Sequence, residues 1–126
     1  MSPIVDPLEQ ITRYVRNGSD MRRSEDRPKY TAYMPRKEGG EISVYRTDAI
    51  SDAEIRDIGA QYVAKPEVPL KGYCCLVASA FFAQRLNIEA APTRHCRHAN
   101  VVGWGADHMN RIVAKKLADQ ADLLAF

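Results

Sequence analysis

The chain has 126 residues, 45% hydrophobic and 27% charged, with 18 basic and 16 acidic side chains and a formal net charge of +2. That length buries a real core without disulfides or metal, and that composition excludes a chain disordered throughout. The near balance of charge excludes a surface that is basic all over, while a local basic patch stays open.

In chain order, Met1 to Asp6 has neither the basic start nor the apolar core of a signal peptide, and no later apolar run reaches the length of a membrane span. A cytoplasmic protein without membrane attachment is therefore expected. Asp6 as a cap, Pro7 at the first helical position and Glu9 in the first turn predict a short amphipathic helix. Leu8, Ile11 and Val15 share its face, and Asn17-Gly18 ends it. Residues 19–29 hold Asp20, Arg22, Arg23, Glu25, Asp26, Arg27 and Lys29 and read as a polar connection, too mixed in charge for a nucleic-acid arm.

Tyr30 to Met34 and Ile42 to Thr47, separated by a loop with Gly39-Gly40, predict a β-hairpin. Ser51 and Glu54 form a capping box within a staple of Ile50 and Ile55, starting a helix that Gly59 stops or bends. Tyr73 to Val77 reads as a strand and Ser79 to Leu86 as a helix, one longer helix being the alternative. Ala99 to Trp104 reads as a strand closed by Gly103-Trp104-Gly105. A last helix from Asp107 takes Met109, Ile112, Val113, Leu117, Ala121 and Leu124 as its buried stripe. This order predicts one α+β domain over 1–126, with a small three- to four-stranded, largely antiparallel sheet and helices packed mainly on one face.

Three cysteines, Cys74, Cys75 and Cys96, are odd in number and two are adjacent, so no secreted disulfide framework is expected. The conspicuous polar segment is Arg94-His95-Cys96-Arg97-His98-Ala99-Asn100. A structural zinc site needs four ligands, and no second pair stands at a recognised spacing, so no metal or other cofactor is expected. A catalytic cysteine needs a base within hydrogen-bond reach. His98 lies two residues along a strand from Cys96, too far, and Cys74 and Cys75 sit in an apolar run.

The specific site favoured is for an anion or nucleotide. A strand, a glycine-rich turn and a helix start present free backbone N–H groups, Trp104 can stack on a flat ligand, and Arg94, Arg97 or His98 can neutralise a phosphate. The candidate ligand-binding set is Arg46, Arg97, His98, Asn100, Gly103, Trp104 and Gly105, centred on Asn100 and Trp104 with His98 held on the opposite face. The plainer reading is a tight β–α turn around a core tryptophan.

Val44-Tyr45-Arg46-Thr47 resembles the first strand of ADP-ribosyltransferases, in which an arginine holds a dinucleotide. That family also needs a glutamate-bearing loop, and the only acidic residue between Pro69 and Gly105 is Glu89, so the assignment is rejected. His98 to Trp104, with the region from Ser43 onward, is similar to small bacterial proteins of no assigned activity. That resemblance implies a bacterial accessory protein and transfers no catalytic residue. With no catalytic signature, the expected function is a cytoplasmic bacterial or phage binding module for a protein partner or a second copy of itself. Nucleic acid is the weaker partner expectation. A small enzyme or sensor of an anionic, nucleotide-like ligand near Gly103-Trp104-Gly105 is the alternative.

Overall fold

In the computed structural model, which describes residues 1–22, 24 and 26–126, the segment Gln10–Val15 is a strand and not the helix that Asp6-Pro7-Leu8-Glu9 predicts. Ile11, Thr12, Tyr14 and Val15 are β-branched or aromatic; they lose side-chain freedom in a helix and fit a pleated sheet. All four are buried, Ile11 and Val15 on one face and Thr12 and Tyr14 on the other, as a central strand requires. The capping signal is used locally. The Asp6 N–H donates to Glu9 Oε2 at 2.6 Å and the Leu8 N–H to Asp6 Oδ1 at 2.8 Å, closing a turn just before the strand.

The strands are β1 Gln10–Val15, β2 Met21–Arg22, β3 Arg27–Pro28, β4 Ile42–Arg46, β5 Gly72–Val77, β6 Asn87–Ala90, β7 His98–Val102 and β8 Asp122–Ala125; the helices are α1 Asp52–Ile58, α2 Ala78–Phe82 and α3 Asp107–Gln120. Six strands form one sheet in the order β6-β7-β4-β1-β5-β8, antiparallel at every pairing, while β2 and β3 pair apart. The α+β class stands, but the expected three- to four-stranded sheet does not. The capping turn disguised β1, and β6 and β8, four residues each, are too short to show a period. The polar connection over 19–29 contains β2 and β3; Arg23 and Glu25 lie outside the described residues.

Helices on mainly one face is likewise corrected. Ala78, Ala80 and Phe81 of α2 and Ala114, Leu117 and Ala118 of α3 pack with Ile11, Val44, Leu76 and Val101 on one face. Ile55 and Ile58 of α1 pack with Tyr14, Tyr45 and Tyr73 on the other. Central strands apolar on both sides demand both covers. Tyr30–Tyr33 is a 3-10 turn rather than a hairpin strand, because Tyr33 turns fully into the core edge-on to Phe81, ring centres 5.9 Å apart. Its expected partner, β4, lies between β1 and β7 instead.

α3 stops at Gln120, short of the expected end of its stripe. In β8, Leu123 stands opposite Cys74 and Leu124 opposite Tyr73, so two adjacent leucines serve the two faces. Met109 and Ile112 are 51% and 48% exposed; the buried side of α3 is Asn110, Ala114, Leu117 and Ala118. No helix among the described residues is long and apolar enough to cross a membrane.

The capping box of α1 forms, with the Glu54 N–H donating to Ser51 Oγ at 3.2 Å. At Gly59 the α-helix gives way to a π turn, Gly59–Val63. A Cβ at Gly59 would stand 2.6 Å from Tyr14 Cε1 and 2.9 Å from Leu70 Cδ1. The Tyr14 ring cannot swing aside, since its hydroxyl donates to the Ile55 carbonyl at 2.6 Å. Alanine improves helix propensity by up to about 1 kcal/mol, but overpacking a fixed ring costs roughly 1–3 kcal/mol. Gly59→Ala is expected to lower stability in urea unfolding; an unchanged or raised midpoint would show that the ring yields.

Candidate functional site

The sheet is open at its centre. β1 pairs with β5 over six residues and β4 with β7 over four, but β1 and β4 meet only at Ile11↔Arg46 and Thr12↔Tyr45. The next hydrogen-bonding pair in this register, Tyr14 opposite Ser43, is not made. Antiparallel bonding alternates along a strand, and the Thr47 N–H bonds the Gln10 carbonyl, so Tyr14 and Ser43 turn backbone groups into this split. Arg13 spans it, with Nε donating to the Ala32 carbonyl at 3.1 Å and a terminal nitrogen donating to the Ser43 carbonyl at 2.9 Å. A guanidinium thus replaces a ladder bond. Burial pulls the Arg13 pKa below its ordinary value, and among the described residues no carboxylate forms an ion pair with it.

Over the split lies a half-open groove of about 1260 Å³. Among the described residues, Arg13, Arg16, Arg36, Lys37, Lys65 and Arg94 line it against two carboxylates, Asp20 and Glu41. The described residues of the lining therefore carry +4, against a formal +2 for the whole chain. Asp20 accepts a hydrogen bond from the Thr31 hydroxyl, and Arg16 donates to the Val63 carbonyl at 3.0 Å, tying the π turn to the end of β1.

The Tyr45 ring reaches this groove, and its buried hydroxyl, beside the Arg94 guanidinium, finds no hydrogen-bond acceptor among the described residues. Burial raises its pKa, and the neighbouring Arg94 guanidinium offsets only part of that, so the hydroxyl keeps its proton at neutral pH and can donate. Tyr62 stands at the rim, 42% exposed, its ring 4.7 Å centre to centre from His95 and nearly perpendicular. Burial first, then Arg97 and His98, lowers the His95 pKa, and its Nδ1 accepts from the Arg97 N–H at 3.0 Å.

The seven residues expected to bind ligand are dispersed. Arg46 lies at the far end of β4, held by Glu9 through Nε–Oε1 at 2.8 Å and a second bond at 2.9 Å. Arg97 donates to the Arg46 carbonyl at 3.1 Å. His98 donates from Nδ1 to the Ala91 carbonyl at 3.0 Å, and its Nε2 shares a hydrogen bond of 3.1 Å with the Ser43 hydroxyl, so both ring nitrogens have partners within the fold. His98, Asn100 and Val102 share one strand face, since they lie two residues apart; holding His98 opposite Asn100 is corrected. Asn100 stands between Ser43 and Glu89 in register.

Gly103, at φ +99, lines the groove and turns Trp104 into the core, where the indole N–H donates to the Val101 carbonyl at 3.1 Å. Gly105 is clamped by Asn110, which bonds both its N–H and its carbonyl at 2.8 Å. At the α3 start the Asp107 N–H is taken by Glu38 Oε1 at 3.2 Å. The chain's own carboxylate fills the position where an external anion was expected.

Arg94 was the groove cation that sequence reasoning reached; Arg13, Arg16, Arg36, Lys37, Lys65, Tyr45 and Tyr62 were missed. They come from separate segments, and no spacing links them before the strands assemble. Burial pushes the Cys74 thiol up to about 12, Cys75 lies on the opposite sheet face and Cys96 is exposed. Among the described residues no three His, Cys, Asp or Glu side chains group as metal ligands. No protein-family model, curated protein or solved structure matches the chain.

Proposed function

We propose that this protein is a binding module for a phosphate-bearing ligand, seated in the basic groove over the split between β1 and β4. The observation that carries the reading is the charge of the lining, six cations against two carboxylates among the described residues in a chain of almost balanced charge. Like charges converging on a concave surface repel one another, and low-dielectric walls strengthen that repulsion, so the arrangement is stabilised by an incoming anion. Two floor groups add specificity. Among the described residues, Arg13 brings a buried charge with no carboxylate ion-paired to it, and the Tyr45 hydroxyl brings a donor with no acceptor. This keeps the expected anionic, nucleotide-like ligand but moves it from the turn before α3 to the split.

A protein partner or second copy, for a cytoplasmic bacterial or phage protein, is the second reading. Met109 and Ile112, exposed on α3, favour it.

Inorganic tripolyphosphate, titrated calorimetrically at low salt, tests the groove. Binding is expected to weaken as salt rises. Arg36→Glu combined with Lys37→Glu is expected to reduce affinity by about tenfold or more while leaving stability within about 0.5 kcal/mol, because both side chains are exposed. Equal affinity in the wild type and the double variant would overturn the reading.

A further inference from the structure

We infer that the ligand of this groove is a single-stranded nucleic-acid segment, an inference that rests on the anion-binding reading and names its ligand class. Size is the first argument. Small-molecule pockets are enclosed and measure roughly 300–1,000 Å³, whereas this groove is larger, at about 1260 Å³, and half open along its length. It fits a ligand that enters and leaves, not one that is swallowed.

Charge placement is the second. Arg36 and Lys37 come from the loop before β4; Arg16 and Lys65 flank the π turn, and Arg94 comes from the loop before β7. The cations therefore come from separate segments around a groove too large for one compact anion to fill, which suits the successive phosphates of a chain. Phosphate-rich backbones track such grooves while aromatic side chains stack the bases.

The third argument is the pairing of a wet ring with a dry donor. Tyr62 keeps an exposed ring at the rim, edge-on to His95, which leaves it able to take a base. Near it the buried Tyr45 hydroxyl, beside Arg94, has no acceptor among the described residues, and a phosphate oxygen would supply one. A duplex hides its base faces and cannot bring a phosphate to that floor, so a single strand is the form that satisfies both groups.

Fluorescence anisotropy with a labelled twelve-nucleotide oligothymidylate, its RNA counterpart and the matching duplex tests this, with tripolyphosphate and thymidine monophosphate as competitors. The single strands are expected to bind more tightly than the duplex and at least tenfold more tightly than the monophosphate. Tyr62→Ala is expected to lower the ratio of oligonucleotide to tripolyphosphate affinity about fivefold or more, the scale of a lost base stack; thermal melting establishes that the variant is folded. A duplex preference, a monophosphate bound as tightly as the oligomer, or an unchanged ratio in Tyr62→Ala would overturn the nucleic-acid inference while leaving the groove reading intact. Failure of every phosphate ligand, tripolyphosphate included, would overturn both.

Discussion

Leu117→Asp is expected to unfold the protein or to lower its melting temperature by more than about 10 °C. Leu117 is fully buried on α3, in the cluster that joins this helix to α2 and to the face of the sheet carrying Ile11 and Val44. Removing a leucine side chain from such a site costs about 2–5 kcal/mol. An aspartate there adds the desolvation of an unpaired carboxylate, several kcal/mol more even after its pKa rises. The sum approaches the whole stability of a domain, roughly 5–15 kcal/mol. Ile112→Asp on the same helix supplies the contrast. Ile112 is half exposed, so that variant is expected to melt within about 2 °C of the wild type. Equal melting of the two variants, by circular dichroism, would mean that the helix is turned differently or lies loosely on the sheet.

Arg46→Met is expected to cost about 3 kcal/mol, read as a shift of the urea midpoint. Arg46 and Glu9 are 3% and 14% exposed at the side chain, and the guanidinium also donates to the Ser2 and Ile4 carbonyls. Methionine leaves Glu9 half-buried and unpaired and releases the N-terminal segment, which otherwise bridges from Ile4 to Glu89 at the edge of the sheet. The pair also predicts a pH dependence. The hydrogen-bonded Arg46 guanidinium, against some desolvation, holds the Glu9 pKa below the usual carboxylate value. A carboxylate depressed in the folded state contributes stability above its unfolded pKa and loses it as pH falls through the folded value. Wild-type stability should therefore drop below about pH 4 more steeply than that of Glu9→Gln, measured by urea unfolding at several pH values. Parallel pH profiles would show that the pair contributes nothing to stability.

Local chemistry was legible in the sequence wherever it acted within a few residues. The Ser51–Glu54 cap, the switch from strand to helix at Val77–Ala78, the strand before Gly103 and the start of α3 at Asp107 all follow from side chains bonding or excluding their near neighbours. β1 was misread because its capping turn is real but ends after one turn, and burial on both faces then decides for a strand. Tyr30 to Met34 carries strand-forming residues, yet the core's need for the Tyr33 ring bends it into a 3-10 turn. Arg46 could be read as needing a partner, since it shares a face with Ile42 and Val44; that the partner is Glu9 depends on β1 lying beside β4.

By itself, then, the sequence determined the α+β class, the capped helix, the buried Leu117 and the absence of any membrane-length apolar helix among the described residues. Tertiary structure alone decided the six-stranded order and, through it, the groove. Across the split between β1 and β4, which pair at only two bridges, Arg13 takes the Ser43 carbonyl, and no residue spacing records a pairing that is not made. The groove cations come from four separate stretches of chain between Arg13 and Arg94. Electrostatic fields sum in space and not along the chain, so a near-neutral sequence folds into a concave surface of one sign.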